Sequence, residues 1–187
     1  AQVAQGLNTT QVHALTSAQV AAMTTAQIAT MTTTQVAQGL NTDQVIALTT
    51  AQAQALTTAQ VAALSTTNVA AIETTDFAAL KTSQIAALTT AQVAQGLTSD
   101  QVIALTTAQA QAFKTNQIAA LTTDNLAAME TADVAALTTA QVAQGLSTTQ
   151  VHALTSAQVA GMTTAQIAAL TTTQVAQGLN TDQVIAL

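Results

Sequence analysis

The sequence predicts an all-α solenoid of octapeptide repeats, each repeat one short capped helix stacked on its neighbours. Three observations carry this prediction: an apolar residue recurs every eight or nine residues, every repeat holds a helix-start signature, and acidic residues occur only at those starts.

The recurrence comes first, because self-similarity at a short fixed period decides the architecture. Large apolar residues stand at positions 7, 15, 23 and 31 and continue to Leu187, giving eighteen intervals of eight residues and four of nine. Each nine-residue repeat holds an extra Gln-Gly element (Gln38-Gly39, Gln95-Gly96, Gln144-Gly145, Gln177-Gly178), and Gln5-Gly6 is a fifth copy. With the Leu position as zero, +5 is Val, Ile, Leu or Phe except at Ala53 and Ala110. Position +2 is always Thr or Ser, +4 is always Gln, Asn or Asp, and +6 varies most. A longer period lies above this one. Residues 1–48 match residues 140–187 with four differences, an offset of 139 residues. The expected organisation is one continuous array over residues 1–187, a fragment of a longer protein.

Two competing folds fit less well. Eight residues advance a continuous α-helix by 800°, so its apolar stripe drifts by roughly 80° per repeat and no face survives. A β-solenoid is the alternative, since Thr, Val and Ile suit strands, but the Ala pairs and the missing period-two alternation disfavour it. The short helix accounts for the spacing directly. In Leu88–Val93, Thr89 is an N-cap and Gln92 falls at N3, a capping box, while Leu88 and Val93 occupy the two positions of a hydrophobic staple.

The charges agree. Asp43, Asp100, Asp124 and Asp182 lie at +3, Asp76 and Asp133 at +4, and Glu73 and Glu130 at +1. All eight therefore sit in the proposed cap or first turn, where the helix dipole favours negative charge. Lys81, Lys114 and the two Glu residues at +1 are poor caps. At such repeats either the cap shifts by one residue or the +2 hydroxyl bonds a neighbouring repeat, and the second is expected because capping alone would tolerate Asn or Asp at +2.

Helices of five or six residues are far below the ~12 that hold together alone in water. The repeats must therefore stack, with Leu, Val and the +7 Ala expected inside and Thr, Gln and +6 outside. The Gln-Gly insertions are expected to adjust the winding, with Gly supplying φ > 0 at a helix end.

Composition excludes several functions. Charged residues are 5% of the chain and aromatics 1%, with no Cys. Two basic residues and no stacking platform rule out a nucleic-acid surface, and thiolate metal sites and disulfides cannot form. Apolar runs reach four residues, as in Val69–Ile72, against the ~18 of a membrane span. No signal peptide is visible. No catalytic, cofactor or metal residue emerges, and no cofactor is implied. His13 and His152 are equivalent exposed +6 residues without a second ligand nearby. Ser17 and Ser156 replace Thr at +2 and lack a His-Asp partner pattern. Met23, Met31, Met129 and Met162 take the Leu position and read as core.

The unit Leu-Thr-Thr-Ala-Gln-Val-Ala-Ala-Leu, as at Leu56–Leu64, resembles short repeats of very large bacterial secreted or cell-surface proteins, often labelled adhesins or haem-utilisation proteins. The resemblance implies an extracellular structural role and carries no catalytic residues. Haem binding finds no support in His13 and His152, which are far apart in a chain without Cys or Tyr. A nearly uncharged Thr/Gln surface points to self-association into a filament, sheath or surface fibre, other copies of the chain being the partner. The alternative is an ice- or polysaccharide-binding region of an adhesin. Circular dichroism separates the two folds: a double minimum of helical type is expected, and a single β-type minimum would sink the octad helix.

Overall fold

The computed structural model describes residues 6–187, and among them every regular element is a helix and none is a strand. The all-α expectation holds and the β-solenoid is excluded. Between Thr9 and Ala186 the described residues form 22 short helical segments, from four residues (Thr82–Ile85) to seven (Thr172–Gly178). The chain divides into two compact units, Ala1–Leu97 and Thr98–Leu187. The boundary falls directly after the nine-residue repeat that ends at Leu97 with its Gln95-Gly96 element.

The helix Thr58–Ala63 shows how a repeat is built. Thr57 is extended (φ −71°, ψ 159°), and its side chain accepts from the Gln60 backbone N–H while Gln60 Oε1 accepts from the Thr57 N–H at 2.7 Å. That is the predicted capping box. Leu64 (φ −57°, ψ 142°) leaves the helix and leads into the next cap. The Leu and +5 residues form the core, Val61 being 0% exposed and Leu64 4%, except in the last repeats, where Val175, Val184 and Leu187 are exposed. The +7 Ala residues, among them Ala55, Ala63 and Ala71, are only half-buried, at the edge of the core. At Glu73, Lys81, Lys114 and Glu130 the helix still begins at +2 without a side-chain cap bond, so the cap does not shift. The Lys81 and Lys114 backbone N–H groups keep their half of the box, donating to Gln84 and Gln117 at 2.8 and 2.6 Å.

Within each unit a helix packs on the third helix along the chain. Thr9–His13 meets Gln35–Gly39 and Thr25–Thr30 meets Thr50–Ala55 in the first unit, and Thr107–Ala112 meets Thr131–Ala136 in the second. Hydrogen bonds between stacked turns link residues 25 to 32 apart. A turn of either solenoid therefore takes more than three and fewer than four repeats. A +2 hydroxyl joins neighbouring turns in three repeats, each with Thr at +1 and not Glu or Lys: Ser17 Oγ donates to the Asp43 carbonyl (3.3 Å), Thr50 Oγ1 to Asp76 Oδ1 (2.6 Å) and Ser99 Oγ to Asn125 Oδ1 (3.1 Å).

The nine-residue repeats absorb their extra residue by widening the last turn. Leu40, Leu97 and Leu179 donate their N–H to the carbonyl five residues back, on Gln35, Gln92 and Gln174, a π-type closure. Here the glycine expectation fails, because no described Gly has positive φ. What these glycines provide is proximity. A Cβ on Gly39 would stand 2.9 Å from Val12 Cβ, and one on Gly178 2.9 Å from Val151 Cβ. Overpacking of this kind costs about 1–3 kcal/mol. Gly39→Ala is expected to lower stability by that amount in urea unfolding, whereas Gly6→Ala, with nothing within 4 Å of the added carbon, stays near neutral.

Candidate functional site

The described residues offer no catalytic constellation, and no group of three or more His, Cys, Asp or Glu among them could hold a metal ion. What they do offer is a ladder of buried amides and an outer face made mostly of Thr and Ala.

The ladder is built at +4. Gln Oε1 there accepts from the N-cap backbone N–H, also where the cap is Lys81 or Lys114, which leaves the Nε2 amide. In Ala1–Leu97 that amide reaches back one turn. Gln44 donates to Val12 and Leu15 carbonyls (2.8 and 2.7 Å), Gln60 to Ile28 and Met31 (2.8 and 2.7 Å), and Gln92 to Val61 and Leu64 (2.8 and 2.7 Å). In Thr98–Leu187 Gln150 bonds Ile118 and Leu121 (2.8 Å each), and Gln183 bonds Val151 and Leu154 (2.9 and 2.6 Å). Both acceptors lie where one helix ends and the next repeat begins. Nε2 thus donates two hydrogen bonds while Oε1 accepts one, so both polar atoms of the buried amide are paired.

This corrects the expectation that Gln faces outward. From Gln35 to Gln183 every +4 residue is buried, and most are 1–4% exposed. The exceptions are Gln11, Gln19 and Gln27. A signal for this was present in the sequence. Glu serves a capping box as well as Gln, yet no repeat has Glu at +4. A capping role alone would admit it; a role that also needs an N–H donor does not.

Four ladder positions depart from Gln: Asn68, Asp76, Asn125 and Asp133. Asn68, one methylene shorter, donates to the Leu40 carbonyl (2.9 Å). Asp76 accepts the Thr50 hydroxyl. Asp133 is 2% exposed and its Oδ2 has no hydrogen-bond partner. Burial, reinforced by the neighbouring Glu130 charge, pushes the Asp133 carboxyl up to about 6.

The sequence-selected side chains are not brought together. His13 is exposed beside Thr9, Thr10 and Gln38 around an open recess of about 310 Å³. His152 is exposed too, and its backbone carbonyl accepts from Gln183 at 3.3 Å. Met31, Met129 and Met162 lie in the core and Met23 is half-buried. The outer face consists of +1 and +3 residues with much of +2, hence Thr and Ala more than Thr and Gln. A His or Ile at +6 occurs only in the repeat that follows a Gln-Gly element (His13, Ile46, Ile103, His152, Ile185). Ile46 and Ile103 are 46% and 47% exposed.

A family model for the ALTTAQ repeat matches residues 4–33, 69–107 and 126–164, more than half of the chain. The chain belongs to the ALTTAQ repeat family. No curated protein and no solved structure matches it. Among the described residues of this ALTTAQ array, no helix is long and apolar enough to cross a membrane.

Leaving a buried acceptor unpaired costs about 1–3 kcal/mol. Gln60→Met keeps the volume but removes both interturn bonds, whereas Gln19→Met removes capping contacts alone. The first is expected to lose about 2 kcal/mol more than the second in denaturant unfolding. Equal losses would show that the ladder contributes nothing beyond the cap.

Proposed function

We propose that this chain is a structural, non-catalytic stretch of an extracellular or cell-surface repeat protein, whose copies bundle side by side into a filament or sheath. The observation that supports this reading is the outer face. Residues at +1 and +3 are exposed in nearly every repeat and are mostly Thr, Ala, Ser or Asn, with eight charged side chains (Asp43, Glu73, Lys81, Asp100, Lys114, Asp124, Glu130 and Asp182) spread over the 22 repeats. Monomers ordinarily stay apart through mixed surface charge, and this face has little. A regular hydroxyl-and-methyl surface suits repeated lateral pairing, and the exposed Ile46 and Ile103 give it apolar points of contact.

Light scattering and negative-stain electron microscopy of the purified chain test the proposal. Concentration-dependent growth into bundles is expected. Ala59→Lys together with Ala91→Lys, both at exposed +3 positions, should suppress it through like-charge repulsion while leaving the helical spectrum intact. A chain that stays monomeric at high concentration overturns the proposal, as does faceted ice growth produced by monomers.

A further inference from the structure

We infer that Asp133 is a proton-operated rung of the second solenoid: its protonated carboxyl donates Oδ2–H to the Leu105 carbonyl, and ionisation replaces that hydrogen bond with repulsion between two oxygens. The inference goes beyond the proposed role and holds whether or not copies bundle.

The register identifies the acceptor. Where no nine-residue repeat intervenes, the ladder side chain bonds the Leu-position carbonyl 28 residues back, as Gln84 does to Leu56 (2.8 Å) and Asn68 to Leu40 (2.9 Å). From Asp133 that carbonyl is Leu105, and the intervening repeats are all octads. Asn68 supplies the template, because a protonated Asp has the shape of Asn with a hydroxyl in place of the amide nitrogen. Asp133 differs from Asp76, the other Asp in the ladder, whose Oδ1 receives the Thr50 hydroxyl. The Oδ2 of Asp133 is buried and without a partner, a setting that favours a hydroxyl over a bare carboxylate oxygen.

The surroundings favour the neutral form. The two helices packed against Thr131–Ala136 are Thr107–Ala112 and Ser156–Gly161, and neither carries a titratable side chain. Glu130, on the exposed cap of the same helix, adds negative charge, and Asp100 and Asp124 on nearby repeats are exposed. No cation is on hand to stabilise the carboxylate, in keeping with a carboxyl raised to about 6. Because the folded state holds the proton more tightly than the unfolded chain does, this rung contributes fully below the ordinary carboxylate range and is lost as pH rises through about 6. The turn gains cohesion in acid and loses it at neutral pH.

The test uses the intact chain and Asp133→Asn, which Asn68 shows to be compatible with the fold. Hydrogen exchange of Thr131–Ala136, corrected for intrinsic rates, should show opening that rises roughly tenfold or more in the wild type between pH 5 and 7.5. The variant should stay flat, and Asp76→Asn should leave the wild-type profile unchanged. Carbon-13 titration of the Asp133 carboxyl provides a second readout, with a midpoint near 6 expected. A midpoint in the ordinary Asp range, or parallel exchange profiles for wild type and Asp133→Asn, overturns the inference. So does calcium restoring protection at pH 7.5 in the wild type alone, which would make the carboxyl a cation ligand.

Discussion

A helix of five or six residues is almost entirely helix ends. The first four N–H groups and last four carbonyls of any helix lack intrahelical partners, so in this chain nearly every repeat brings orphan backbone groups to the edge of its core. The capping box answers the donors at each start. The acceptors at each finish are answered by the Gln amide of the next turn, as at Gln44 with Val12 and Leu15. One side chain therefore terminates one helix, starts another and ties two turns together. Without that double use, buried carbonyls would stand bare once per repeat, and the short-helix solenoid would not be tenable.

Much else follows from this constraint. The acceptor carbonyls lie on either side of a helix–helix junction, so the amide must sit at a fixed height above it, and a repeat length near eight keeps successive amides over successive junctions. Turns must also approach closely enough for bonds of 2.6–3.0 Å. The tight space around Gly39, Gly145 and Gly178 is the steric side of the same requirement, since each faces a Val or Ile of the preceding turn at a distance that excludes a methyl group. In the nine-residue repeats the π-type closure at Leu40 and Leu97 lets the helix take up a residue while that Leu stays in the core.

The repeat length, the capping boxes, the Leu and Val core and the acids at helix starts were all legible in the sequence, because each depends on neighbours within one repeat or on simple apolar periodicity. The burial of Gln was not. Amphipathic reasoning sends a polar side chain to solvent, and only hydrogen-bond satisfaction across some 30 residues reverses that for Gln52 or Gln158. The +7 Ala failed in the opposite sense: it is small enough to stand at the edge of the core without penalty, so its identity says little about which way it points. Glycine was misread because a Gly near a helix end has two explanations, backbone conformation and space, and sequence alone does not separate them. Units per turn depend on the angle between successive helices, which no local pattern encodes.

The ladder also explains the surface. In most repeat proteins charged and amide side chains share the exterior, whereas here the amides are drawn inward and the few acids are held at helix starts by the dipole. Thr hydroxyls and Ala methyls remain, repeated with the period of the solenoid. Such a face has little charge with which to repel a copy of itself and few long side chains to lose entropy on contact. The same interior demand that sequesters Gln therefore leaves a regular exterior suited to association. Asp133 marks the price of breaking the pattern: a ladder position that cannot donate without a proton makes one turn of the array depend on its surroundings.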